Sequence, residues 1–144
     1  MGYAVAGLLP SACVMANGIL IVDDNASIRQ LLRLFIENNT GFKICGEAEN
    51  GAEGIEIAKK LKPDLILLDL TLPGMSGTEA AKALKSAMPQ VKIILFTMHA
   101  DGVNQSLAST FQIDRVITKS DSITTLGEHL KELLTPVNGQ TKRT

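Results

Sequence analysis

Residues 65–77 read Leu-Ile-Leu-Leu-Asp-Leu-Thr-Leu-Pro-Gly-Met-Ser-Gly. Four apolar residues run into a carboxylate, Asp69, and then into a loop of turn formers. A short continuous apolar run is the pattern of a strand buried on both faces, and a charge at its end is expensive unless something offsets it. Asp69 therefore needs a partner, and the flanking segments supply candidates.

The same unit recurs on either side. Residues 19–22 are apolar, and Ile28, Leu31, Leu32 and Phe35 follow at helical spacing, closed by Asn38, Asn39 and Gly41. Residues 42–48 are strand-like, and 52–61 are helical with Ile55, Ala58 and Leu61 on one face, ended by Lys62 and Pro63. After a strand over 65–70 comes a helix over 77–87, with Ala80, Ala81 and Leu84 inward and Pro89 beyond it. A strand over 91–96, a weaker helix over 102–110, a short strand over 116–118 and a helix over 122–134 complete the pattern. Gly127 lowers the propensity of that last helix by about 1 kcal/mol. Strands alternating with helices, the strands mostly unbroken apolar runs, predict an α/β fold with a doubly wound five-stranded parallel sheet covered on both faces.

Composition narrows the function. With 144 residues, 45% of them hydrophobic, and a net charge of −1, the chain suits one compact domain. That charge offers no basic face for direct nucleic-acid binding, and no apolar run reaches the roughly 18 residues of a membrane span. Cys13 and Cys45 have no metal-site spacing, so neither a zinc site nor a disulfide framework is expected, and Cys45 reads as a small core residue. Residues 1–14 form a poorly patterned N-terminal extension without the basic start of a secretory signal. The domain is expected over 15–134, and 135–144 reads as a flexible tail or linker stub.

In doubly wound sheets ligands gather at the carboxyl ends of the strands. Those ends carry Asp23 and Asp24, Asp69, Thr97 and Lys119. Three carboxylates brought together repel one another unless a cation intervenes. Hard oxygen ligands without histidine or thiolate suit Mg²⁺. Phosphoryl chemistry then gives every residue a task. Asp69 can act as nucleophile to form an acyl phosphate, while Mg²⁺, the Lys119 ammonium and the Thr97 hydroxyl neutralise the oxygens of the transferring group. Pro73, Gly74 and Gly77 shape the loop so that its backbone can come close.

Taken singly, each residue has a plainer reading. Asp23, Asp24 and Asn25 could be helix caps, Thr97 a β-former and Lys119 a solvated charge. His99 and His129 read as surface residues, and Met75, Met88 and Met98 as loop or core filler. The joint placement at four strand ends favours a phosphoacceptor site.

Over 18–134, through ILIVDD, GEAENG, PDLILLDLTLPGMSG, ILFT and VITK, the sequence resembles the response regulator receiver domains of two-component signalling. It looks most like receivers fused to helix-turn-helix DNA-binding regulators. The resemblance implies a flavodoxin-like (βα)5 fold with strand order 2-1-3-4-5. It also implies Asp69 as phosphoacceptor, Asp23 and Asp24 as the acidic pair that organises Mg²⁺, Thr71 as a backbone carbonyl ligand, Thr97 as the switch hydroxyl and Lys119 as the phosphate-binding lysine. The implied donor is a sensor histidine kinase or a histidine phosphotransfer protein. Phosphorylation and dephosphorylation would be self-catalysed, with no separate enzymatic turnover. The implied setting is the cytoplasm, with an unidentified effector domain or protein and phosphorylation-dependent dimerisation as one form of output.

Departures from the family set further expectations. Val116 stands where receivers usually carry Tyr or Phe, three residues before the lysine. Gln112 and Arg115 replace frequent glycines, Met98 follows Thr97 where a small residue is common, and Ser120 follows Lys119 where proline is frequent. Retained phosphorylation with an atypical output is the expectation. Two other classes compete with it. An aspartyl-phosphate phosphatase has a second aspartate two residues after the nucleophile, where this chain has Thr71. A constitutive docking module usually lacks a key acid or the lysine, and none is missing here.

Overall fold

The computed structural model describes residues 18–98, 109–121 and 123–134. In chain order the elements are β1 (Gly18–Val22), α1 (Ala26–Asn39), β2 (Lys43–Ala48), α2 (Gly51–Leu61), β3 (Leu65–Leu68), α3 (Gly77–Ala87), β4 (Lys92–Thr97), β5 (Arg115–Thr118) and α4 (Ile123–Leu134). The strands form one sheet in the order β2-β1-β3-β4-β5, every neighbouring pair parallel. This is the doubly wound order 2-1-3-4-5. The weaker helix expected over 102–110 lies largely outside the described residues, as do the extension and the tail. β3 ends at Leu68, two residues earlier than expected, so Asp69 stands just beyond the strand.

Side chains alternate across the sheet, and both faces are covered. Ile19, Ile21, Leu65, Leu67, Ile94 and Phe96 pack with Leu32 and Ile36 of α1 and Leu126 and Leu130 of α4. Leu20, Val22, Ile66, Leu68, Ile93 and Leu95 pack with Ala58 of α2 and Ala80, Ala81 and Leu84 of α3. Each large aliphatic side chain so buried contributes about 1.5–3 kcal/mol, which is why unbroken apolar strands settle in the middle layer. Helices α1, α2 and α3 begin where side chains accept their unpaired N–H groups. Asn25 accepts from Ile28, Asn50 accepts from Glu53, and Ser76 with Glu79 forms a reciprocal capping box on α3.

Several expectations are corrected. Pairing shifts between Ile19↔Ile44 and Leu20↔Gly46, leaving Cys45 as the extra residue of a bulge. Cys45 is half-buried and disulfide-bonded, not a lone core thiol. His129 is also half-buried, and its Nδ1 accepts a hydrogen bond from Arg115 Nε at 3.2 Å. Gly127 has a packing reason: a Cβ there would lie 3.2 Å from the Phe35 ring, so α4 lies close against α1. Met75 and Met88 do pack against the core, whereas Met98 is 61% exposed.

Candidate metal and phosphoacceptor site

The site is built by extending the sheet ladder one residue past three strands. The Asp23 N–H donates to the Ala48 carbonyl at 3.0 Å, the Asp69 N–H to the Val22 carbonyl at 2.9 Å, and the Lys119 N–H to the Thr97 carbonyl at 2.6 Å. Parallel strands put all these residues at one edge. Oxygens of Asp23, Asp24 and Asp69 lie within 4.8 Å of one another. Asp23 and Asp69 are buried, at 2% and 7% exposure, while Asp24 is exposed at the rim. Thr97 is buried at the end of β4 and lines the same depression with Thr71, Met98 and Lys119.

Asn25, not either aspartate, caps α1. The capping reading of the acidic pair therefore falls. Asp23 turns inward, with its Oδ1 accepting the Asn25 N–H at 2.9 Å. Its Oδ2 lies 2.6 Å from Lys119 Nζ, which is 3.4 Å from Asp69 Oδ2. Lys119 thus serves both buried carboxylates and sits closer to Asp23 than to Asp69, the partner expected for it. Asp69 Oδ1 accepts the Thr71 N–H at 3.2 Å. Burial, and then the charge of Asp23, hold the Asp69 carboxyl above its ordinary range, against the pull of Lys119 and the Thr71 N–H.

The loop after Asp69 is tightly held. The Gly77 N–H donates to the Leu70 carbonyl at 2.6 Å, and a Cβ on Gly77 would collide with the Asp69 carbonyl oxygen. Only glycine lets α3 start this close to the acidic loop. Gly74 has φ +77°, the left-handed turn that glycine supplies without strain.

Sequence reasoning missed Arg29 and Glu47. Arg29 Nη1 donates to the Asp23 carbonyl at 2.6 Å, and its Nε donates to Glu47 Oε1 at 3.0 Å. Glu47 Oε2 also accepts from Arg33 Nε at 2.8 Å. Burial pushes the Glu47 carboxyl up, but the hydrogen bonds and charges of Arg33 and Arg29 hold it below the usual range. The only sequence signal was an arginine in the first turn of α1 and a glutamate near the end of β2, which no local spacing connects.

The donor set suits a hard divalent cation. Three carboxylates converge with no histidine or thiolate among them, and three oxygens within 4.8 Å fit a small octahedral ion. The residues present are therefore compatible with Mg²⁺.

A doubly wound parallel sheet with acidic residues and a lysine gathered at its carboxyl edge points to a class of signalling domain. The family model for the response regulator receiver domain matches residues 19–131, and the chain belongs to that family. It is a receiver domain of two-component systems. It is 38% identical over 114 residues to the chemotaxis protein CheY of Bacillus subtilis, covering 72% of this chain and 93% of that protein. It is 47% identical over 85 residues to the transcriptional regulatory protein YdfI of Bacillus subtilis, covering 59% of this chain and only 40% of that protein. Among solved structures, the response regulator TrrA of Thermotoga maritima, in complex with Mg²⁺ and BeF, superposes with a TM-score of 0.74 at 33% identity. That match covers 82% of this chain and 99% of TrrA. No helix among the described residues is long and apolar enough to cross a membrane.

Proposed function

We propose that Asp69 is the phosphoacceptor of this receiver and that a histidine kinase or histidine phosphotransfer protein is the donor. An Asp69 carboxylate oxygen attacks the phosphorus of a phosphohistidine. The new P–O bond forms as the P–N bond breaks, and the electron pair stays on the imidazole nitrogen, which takes up a proton. Lys119 and the Thr97 hydroxyl stabilise the negative oxygens of the transferring group. Asp23, Asp24, Asp69 and the Thr71 carbonyl would hold Mg²⁺, which supplies positive charge against those oxygens when bound. The observation that carries this reading is the convergence of three carboxylates, with Lys119 Nζ between two of them, at the carboxyl edge of the sheet.

The receiver domain spans 15–134 in this reading, works in the cytoplasm, and signals through an effector domain or protein and not by binding nucleic acid directly. Loss of the phosphoryl group occurs on the same residues, so the domain is a self-catalysed switch and not a phosphatase of external esters. Position 71 carries no acid that could protonate a leaving group.

Intact mass after incubation with acetyl phosphate provides the test. One added phosphoryl group is expected for the wild type with Mg²⁺, and none with chelator or in Asp69→Asn. No adduct in the wild type under rapid quenching would leave the pocket structural and the protein a constitutive docking module.

A further inference from the structure

Both backbone groups of Asp23 are fixed from the edge strand. Its N–H donates to Ala48 of β2, and its carbonyl accepts from Arg29, which is itself held by Glu47 of β2. Arg29 belongs to α1, so one guanidinium ties the first helical turn, the acidic turn and the edge strand together. The side chain of Arg29 is 14% exposed and that of Glu47 28%, so the fork is partly shielded from water. Arg33 meets Glu47 on its other oxygen at 2.8 Å and Glu37 at 3.6 Å, and among the described residues these carboxylates are its ion-pair partners.

We propose that Arg29, oriented by Glu47, is a positioning residue for the metal pocket, fixing through the Asp23 carbonyl the turn from which Asp23 and Asp24 meet Asp69. The proposal rests on the reading of this pocket as a Mg²⁺ site. Three carboxylates facing one another favour a splayed turn when no cation is bound. Restraining the Asp23 backbone keeps the ligands assembled and lowers the reorganisation that metal binding requires. A depressed Glu47 carboxyl supports the arrangement, since Glu47 remains an acceptor for both arginines across the working pH range.

The test is Mg²⁺ titration of the ¹⁵N-labelled full chain, read from amide shifts of residues 23–25, beside the urea midpoint of each variant. Arg29→Met keeps the aliphatic stem and removes both donors, and its dissociation constant should rise about tenfold, the usual scale for groups that orient metal ligands. Arg33→Met removes a Glu47 partner without touching the turn, and its dissociation constant should stay within about twofold of wild type whatever its stability. Arg29→Lys should fall between, because a single ammonium cannot span Asp23 and Glu47 as a planar fork does, and it decides the matter if Arg29→Met fails to fold. Equal weakening by the Arg29 and Arg33 variants, or none by either, would overturn the positioning role. Saturable Mg²⁺ binding by the wild type establishes the underlying metal reading separately, and its absence would remove that reading and this one together.

Discussion

Asp69 is held in an electrostatic conflict that a proton or a bound cation relieves. Its carboxyl is buried beside Asp23, and one lysine shared between them offsets two charges incompletely. The folded chain therefore keeps the Asp69 proton to higher pH than the unfolded chain. Its ionisation weakens the fold as pH rises from the unfolded carboxylate value, about 3.9, through the higher folded value. In chelator at pH 7, Asp69→Asn should show a higher urea midpoint than the wild type, and the gap should narrow as pH is lowered toward about 4. Excess Mg²⁺ should stabilise the wild type more than the variant. A midpoint for Asp69→Asn equal to or below that of the wild type at pH 7 would contradict the assigned conflict. At this scale the acidic residues and Lys119 were legible because each follows an apolar strand. Arg29 and Glu47 were not, because their contact joins a helix to a strand 18 residues away, and no periodicity encodes such a contact.

Among the elements, the loops between strand and helix carry the constraints. Gly77→Ala would place a methyl against the Asp69 carbonyl oxygen and 2.7 Å from Leu70 Cα. Both obstacles are backbone, so relief must come from moving the loop or α3. Chemical denaturation should show a loss of about 2–3 kcal/mol, and phosphorylation should slow because Asp69 shifts with the loop. Gln112 presents the opposite case. Its φ of +59° lies in the left-handed region, which a residue with a Cβ enters at a cost. Gln112→Gly should raise stability by about 0.5–1 kcal/mol, readable as a higher urea midpoint, and an unchanged or lower midpoint would contradict the strain. The type and order of the described elements were legible from the apolar alternation. The bulge at Cys45 was not, since it arises from how two neighbouring strands pair.

For the whole molecule, parallel winding is the decisive feature. It delivers Asp23, Asp69, Thr97 and Lys119 to one edge although they are scattered over nearly 100 residues. The parallel sheet followed from the residues themselves, whereas the order of its strands came with the family resemblance, because apolar runs do not record their neighbours. Val116 is half-buried and packs on the α2 and α3 side of the sheet, so β5 carries no ring at the position three residues before Lys119. Any response to phosphate must travel through other side chains, and the chain spans only 40% of YdfI, a relative with additional sequence. In the proposed reaction the phosphoryl group arrives on Asp69. The most direct measurement is borohydride reduction of the acetyl phosphate-treated chain, followed by peptide mapping, since reduction of an aspartyl phosphate leaves homoserine at the modified position. Homoserine at position 69, dependent on Mg²⁺, is the predicted result. Homoserine at 23 or 24, or at no position while the chain remains folded, would contradict it.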